Sequence, residues 1–202
     1  RDDVKRAVSY ANNKQRANYK TKFADYNEFL ESLEMKAEIG SFSPIYLDRI
    51  TQLTNKTNQF NLTTKRYTFA EMQAMAQSPE YITIYGRLED RFGDNGLITV
   101  VTGKLKENQV HIDLWLMSCR VIRRDIELAM LDTLVLKAIE NGSEELIGYY
   151  HQTQKNGIVA GHYSKLGFKL VSEAEDQSSS VWQLELKNYK TRNKNIKEIE
   201  YV

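Results

Sequence analysis

Apolar and polar positions change period several times along the chain, and each change marks an element. Residues 1–22 are rich in Lys, Arg, Asn and Gln with weak apolar periodicity, which predicts a solvated helix or linker. From Asp25, a capping residue, Tyr26, Phe29, Leu30 and Leu33 recur at helical spacing; Met35, Ala37 and Ile39 then alternate as in a strand. Ser43-Pro44 suits an N-cap and first helical position ahead of the apolar face Ile45, Leu47, Ile50 and Leu53. A polar loop follows, and Thr68 with Glu71 has capping-box spacing, opening a helix that Ser78-Pro79 ends. Strand-like runs at 81–88, 97–105 and 110–117 are separated by Asp94-Asn95-Gly96 and Lys106-Glu107-Asn108, an antiparallel meander with Asn95-Gly96 as its hairpin signal. The spacing then predicts a long amphipathic helix over 126–139 closed by Asn141-Gly142, a strand over 146–150, a helix over 156–166, and strands over 168–171 and 181–186. From Lys187 onward the chain is charged and predicted to fray.

Composition narrows the classes of partner. The 202 residues suit one domain plus an accessory helical segment, and 28 basic against 27 acidic residues leave a net charge of +1. That balance points away from nucleic acid and membrane surfaces, so an anionic ligand must be bound locally. One cysteine, Cys119, excludes an internal disulfide framework and a cysteine-clustered zinc site, in keeping with a reducing cytoplasm, and three histidines add little to a metal case. No apolar run reaches the roughly 20 residues that span a bilayer. A soluble, cytoplasmic protein is expected. The polar lead-in beginning at Arg1 is expected to be the junction with a missing upstream part.

The element order β, α, α, β, β, β, α, β, α, β, β departs from regular alternation, because a meander precedes a single helical crossover to a parallel strand. Over about 35–187 it resembles the GNAT acetyltransferase fold, so the expected class is α/β, a GNAT-like acyltransferase fold with a mixed central sheet, flanking helices and a helical N-terminal lead-in. The resemblance implies that the last meander strand and the strand after the long helix splay apart. It also implies that a Gln/Arg-x-x-Gly-x-Gly/Ala turn entering the long helix binds the coenzyme A pyrophosphate, since glycine admits phosphate to the backbone and the helix N-terminus attracts it. Here the stretch is Arg120-Val121-Ile122-Arg123-Arg124-Asp125, with both glycine positions filled. Arg120, Arg123 and Arg124 are candidates to hold a phosphate or phosphopantetheine by bidentate hydrogen bonds, whereas Asp125 repels one. The loop reads as degenerate for coenzyme A; alternatively the arginines solvate a helix start and pair with Asp125 and Glu127.

Several longer segments carry a more specific resemblance: Phe29-Leu30-x-Ser32-Leu33-x-Met35, Lys-Thr-Asn-Gln-Phe-Asn-Leu-Thr-Thr at 56–64, Asp-Arg-Phe-Gly-Asp-Asn-Gly-Leu at 90–97, Met-Ser-Cys-Arg-Val at 117–121, Lys155-Asn156, and Tyr163-x-x-x-Gly167-Phe168. In this order they are similar to the C-terminal region of FkbH-like proteins, which join a haloacid-dehalogenase-type phosphatase (subfamily IIIC) to a GNAT-like domain. The resemblance implies transfer of a glyceryl group derived from 1,3-bisphosphoglycerate to an acyl carrier protein, as in polyketide extender units of the methoxymalonyl type. It divides the chain into a helical linker from an upstream phosphatase (1–34), a GNAT-like domain (35–187) and a charged tail (188–202). The phosphatase signature Asp-x-Asp-x-Thr/Val is absent from these residues, so Mg is expected only in the upstream domain. No cofactor is expected on this chain, and the carrier's phosphopantetheine is the co-substrate.

Cys119 is the candidate nucleophile: it ends an apolar strand just before an arginine-bearing helix start, a setting that favours the thiolate. A small buried filler is the other reading of a lone cysteine. His151, at the end of the next strand, is a candidate base or orienting group, or a plain hydrogen-bonding histidine. His162 reads as surface. Tyr163 matches the position whose hydroxyl, in many GNAT enzymes, protonates the leaving thiolate; packing against Phe168 is its structural alternative. Lys155 and Asn156 suit a substrate phosphate or carboxylate, with Asn156 as a simple N-cap otherwise. Asn58, Gln59 and Asn61 offer donors and acceptors for glyceryl hydroxyls, or bond their own loop. The expected function is glyceryl transfer to a carrier protein; the alternatives are an acyl-coenzyme A-dependent N-acetyltransferase and a non-catalytic carrier-docking module.

Overall fold

The fold positions its site through one sheet and the way that sheet opens. In the computed structural model, which describes residues 2–202, helices α1 (Asp2–Lys20) and α2 (Tyr26–Ser32) lead to strand β1 (Lys36–Gly40). Helices α3 (Leu47–Lys56) and α4 (Phe69–Gln77) precede the meander β2 (Tyr81–Asp90), β3 (Gly93–Lys106) and β4 (Gln109–Met117). The long α5 (Ile126–Glu140), β5 (Glu145–His151), the short α6 (His162–Lys165), β6 (Lys169–Glu173), β7 (Ser179–Glu185) and β8 (Glu198–Tyr201) complete the chain. The strands form one mixed sheet in the order β6-β7-β5-β4-β3-β2-β1-β8. Period-2 alternation divides neighbouring residues between its two faces. Ile84 and Val101 pack with Met130 and Leu134 of α5 on one face, while Tyr85 and Val100 pack with Ile50 of α3 and Met72 of α4 on the other. The Thr68–Glu71 capping box opens α4 as its spacing predicts.

β4 and β5 run parallel but pair only from Gln109↔Glu145 to His111↔Ile147. Beyond that they part, and residues 60–62 fill the gap as a short internal strand. The Leu62 N–H donates to the Trp115 carbonyl (3.0 Å), the Met117 N–H to the Phe60 carbonyl (3.0 Å), and the His151 N–H to the Leu62 carbonyl (2.9 Å). The insert thus satisfies backbone groups that the diverging strands leave unpaired.

Four expectations are corrected. The meander's first turn is Arg91-Phe92, closed by the Asp90↔Gly93 pair, and Asn95-Gly96 lies inside β3 next to register shifts. The Asp90 carboxylate wins that contest by accepting from the Phe92 N–H (3.0 Å) and from two arginines. α3 starts at Leu47, because Ser43 to Tyr46 form a separate turn (Tyr46 N–H to Ser43 carbonyl, 3.0 Å). The 156–166 stretch is a 3₁₀ turn Gly157–Val159 followed by α6, with Gly161 between them. The tail is not frayed: Asp132 accepts from the Tyr189 hydroxyl (2.6 Å) and the N–H groups of Arg192 (2.9 Å) and Asn193 (2.9 Å), Ile196 is buried, and β8 pairs with β1. Charge in the sequence hid these anchors, since Asp132 sits on a helix far from the tail it holds.

Candidate functional site

β4 ends at Met117, and the chain turns through a 3₁₀ element, Cys119–Val121, anchored by buried Val121. This turn holds Cys119 outward, free and exposed, so the buried-filler reading does not apply. Beside it opens a cleft of about 660 Å³ whose walls are one side of α3, the loop after it and the end of β4. Asn58, Gln59, Cys119, Arg120 and Lys155, chosen from sequence for different reasons, all line this one cleft. Arg49 and Lys56 join them, and Leu53, Phe60 and Met117 supply an apolar floor. Among the described residues no Asp or Glu lines it. Arg49 and Lys56 carried no sequence signal, because a basic residue on the polar side of an amphipathic helix is an ordinary solvating group.

Other expected site residues lie elsewhere. Asn61 is fully buried: its Nδ2 donates to the Thr57 carbonyl (3.1 Å) and its Oδ1 accepts from the Thr64 N–H (2.9 Å). Asn156 is equally buried, donating to the carbonyls of Asn61 (3.0 Å) and His151 (2.8 Å) and accepting from the Thr153 N–H (2.7 Å). Both asparagines fasten the 60–62 insert rather than meet substrate. His151 is exposed at the end of β5, outside the walls of the cleft, with the insert lying between its strand and β4. Tyr163 is 1% exposed and its hydroxyl has no hydrogen-bond partner among the described residues. Burial drives that phenol far above its ordinary value, and its ring lies where any β-carbon on Gly148 would fall 2.5 Å away. A sealed phenol cannot protonate a group in the open cleft; packing near Phe168, 4.9 Å between centroids, is its observed role. His162 is buried, not surface, with Trp115 at 4.5 Å; burial, aided by Lys165, lowers it to about 3 and keeps it neutral.

Arg124 is likewise withdrawn from phosphate contact. Its guanidinium donates to Asp90 (2.7 Å) and to the Arg120 carbonyl (3.1 Å), while Arg16 of α1 grips the same carboxylate through two bonds of 2.7 and 2.8 Å. Burial first, then the Arg16 charge, lowers Arg124 to about 10. Arg123 is exposed and does not line the cleft.

The turn into α5 nevertheless keeps a glycine-type backbone. Arg123 (φ +66°) and Asp125 (φ +64°), at the two positions where glycine was expected and is missing, are both left-handed. Such a conformation costs a side-chain-bearing residue about 1–2 kcal/mol. The Arg123 guanidinium makes no hydrogen bond or ion pair among the described residues, whereas Asp125 accepts from Asn195 (2.7 Å). Arg123→Gly is therefore expected to raise stability by about 0.5–1 kcal/mol after the added chain entropy of glycine, and Arg123→Val to lower it. Urea midpoints at unchanged m-value read both, and a lower midpoint for the glycine variant would refute the strain.

Two residues further, in the first turn of α5, Glu127 is half-buried, with Oε2 cut off from solvent and without a hydrogen-bond partner among the described residues. Burial, reinforced by the Asp125 charge, raises its carboxyl to about 7. An acid raised on folding is tolerated when neutral, so its contribution is fully favourable below the ordinary carboxyl value and is lost as pH rises toward about 7. Glu127→Gln is expected to remove that loss, gaining up to about 3 kcal/mol over wild type above pH 7 and little at pH 4. Equal denaturation midpoints for the two proteins at pH 8 would exclude it.

No family model matches the chain, and no curated protein matches it. Solved structures do. The ribosomal-protein-S18-alanine N-acetyltransferase from Escherichia coli superposes with a TM-score of 0.55 at 13% identity, covering 76% of this chain and 99% of that one. An aminoglycoside 6'-N-acetyltransferase complexed with coenzyme A gives 0.57 at 12% identity, covering 75% and 98%. The PaiA N-acetyltransferase from Thermoplasma acidophilum, in complex with coenzyme A, gives 0.52 at 16% identity, covering 74% and 98%. The chain has the GNAT-type fold, a mixed α/β sheet with flanking helices. Among the described residues no helix is long and apolar enough to cross a membrane.

Proposed function

We propose that this GNAT-type fold carries an acyltransferase that works through Cys119, taking a glyceryl group from a phosphorylated glycerate and passing it to the phosphopantetheine thiol of an acyl carrier protein. One observation supports the reading above the others: the exposed thiol opens on a cleft that, among the described residues, four cationic side chains and no carboxylate line. An acyl phosphate brings phosphate charge to the same place as its electrophilic carbon, so these cations hold the donor and stabilise the leaving group together. The Cys119 thiolate attacks C1 of 1,3-bisphosphoglycerate, the C1–O bond to phosphate breaks, and inorganic phosphate departs with the electron pair; the thiol proton goes to solvent. Hydrolysis at C3 belongs to a phosphatase of the kind the FkbH-like resemblance expects. The carrier thiolate then attacks the thioester and Cys119 leaves as thiolate. Asn58 and Gln59, which line the cleft, would meet the glyceryl hydroxyls; Asn58 Oδ1 already accepts from Arg66. His151 and Tyr163 are given no part in these steps.

The test is intact mass after exposure to 1,3-bisphosphoglycerate, followed by peptide mapping. A glyceryl- or phosphoglyceryl-sized adduct on the Cys119 peptide supports the reading, and a carrier loaded without any adduct overturns it. A second reading, acyl transfer from coenzyme A to an amine, is favoured by the left-handed backbone at 123 and 125 and by the coenzyme A-bound proteins of like fold. Against it stand the Asp125 carboxylate in that turn and the insert that fills the opening between β4 and β5. Acetyl-coenzyme A binding without a Cys119 adduct would favour this second reading.

A further inference from the structure

We infer that Arg49 and Arg120 form a phosphate subsite in the Cys119 cleft, built from α3 and the 3₁₀ turn rather than from the α5 entrance, and that it takes a phosphate ester on a short aliphatic chain. The argument begins with charge balance. Three other buried or half-buried arginines have carboxylates, since Arg16 and Arg124 share Asp90 and Arg87 meets Glu38 (3.5 Å) and Asp94 (3.1 Å), whereas the Arg192 guanidinium, in the C-terminal tail, has none among the described residues. Arg49 is half-buried too, yet neither it nor Arg120, Lys56 or Lys155 has a carboxylate within 4.0 Å among the described residues.

Their hydrogen bonds are weak substitutes. Among the described residues Arg49 donates to the side chain of Gln52, and Arg120 makes only long contacts to Ser118 Oγ (3.3 Å) and the Asn95 carbonyl (3.4 Å). Neutral acceptors leave both charges uncompensated, and the two guanidiniums repel: burial and the Arg120 charge both lower Arg49. Two like charges lining one cleft, with fork-shaped donors not saturated by their neutral partners, match the several oxygens of a phosphate group. The floor of Leu53, Phe60 and Met117 is apolar, which suits the carbon chain behind the phosphate rather than a free inorganic ion. Two sources share this chemistry, a small phosphorylated acid and the phosphopantetheine arm of a carrier. The subsite rests on the proposed function only through the choice between them.

Calorimetric titration with 3-phosphoglycerate and 4'-phosphopantetheine, each beside its dephosphorylated counterpart, tests the subsite without any acyl chemistry, so a missing Cys119 adduct leaves the result standing. The phosphorylated member of at least one pair is expected to bind about tenfold or more tightly than its counterpart. Which pair shows the difference identifies the source. Arg49→Gln and Arg120→Gln are each expected to remove about tenfold, and Arg49→Lys to retain part of it. No preference for phosphate in either pair overturns the subsite. So does undiminished binding by the Arg49→Gln/Arg120→Gln double variant, or a loss confined to Arg123→Gln, which would move phosphate to the α5 entrance.

Discussion

Cys119→Ala is expected to abolish glyceryl loading of the carrier protein, with a fall on the order of a thousandfold or more, because removal of a covalent nucleophile leaves only whatever direct transfer the cleft can promote. The side chain is exposed and takes no part in the core, so folding should be unaffected and the denaturation midpoint should stay near wild type. That combination separates chemistry from stability. Cys119→Ser tests the same point differently: an alkoxyl nucleophile of much higher pKa should load slowly and then hold its ester, since an oxygen ester releases acyl groups to thiols poorly. Gel-shift or mass assay of the carrier, run beside intact mass of the enzyme, reads both steps. Full loading by Cys119→Ala would move the domain to the role of a carrier-docking module.

Asp90→Ala should cause the largest loss of stability. The carboxylate is fully buried and holds Arg16 and Arg124, whose side chains are 7% and 8% exposed. Removing it leaves two guanidiniums unpaired in low dielectric, a change worth about 3–5 kcal/mol. For a chain of this length that corresponds to a fall in melting temperature of about 10 °C. Replacing all three residues by apolar ones of similar volume should restore much of it, because the cost lies in the orphaned charges and not in the missing ion pairs. Arg124 also donates to the Arg120 carbonyl, one residue from Cys119, so Asp90→Ala should loosen the turn that presents the thiol. Unchanged melting on Asp90→Ala would show that the triad contributes nothing.

The difference between what was legible and what was not follows the range of the interaction. α5, the capping box at Thr68 and the meander strands arise from contacts within a few residues, and the periodicity of Ile126 to Glu140 or Tyr81 to Asp90 carries them directly. The placement of Cys119 and Arg120 just past β4 was readable because a strand end is visible from the pattern. The roles of Asn61 and Asn156 were not, since a buried asparagine and a substrate-binding one are the same letter until their partners are known. Tyr163 was misplaced for a related reason: a phenol at the right spacing says nothing of the packing that seals it. The first hairpin turn moved from Asn95-Gly96 to Arg91-Phe92 because Asp90 is tied to residues 74 and 34 positions away. Arg49 became meaningful only when folding set it beside Arg120.

The pairing of β1 with β8 gives the molecule a mechanical property. The two strands run parallel, from Lys36↔Glu198 to Ile39↔Tyr201, and the Val202 N–H adds a bond to the Ile39 carbonyl (3.1 Å). Tension applied between the residue before β1 and the residue after β8 pulls the strands in opposite senses along their own length. The ladder is then loaded in shear, all its bonds sharing the force, instead of being unzipped one at a time. A neighbour that tugs at those two points would meet a clamp at the β1–β8 edge of the sheet.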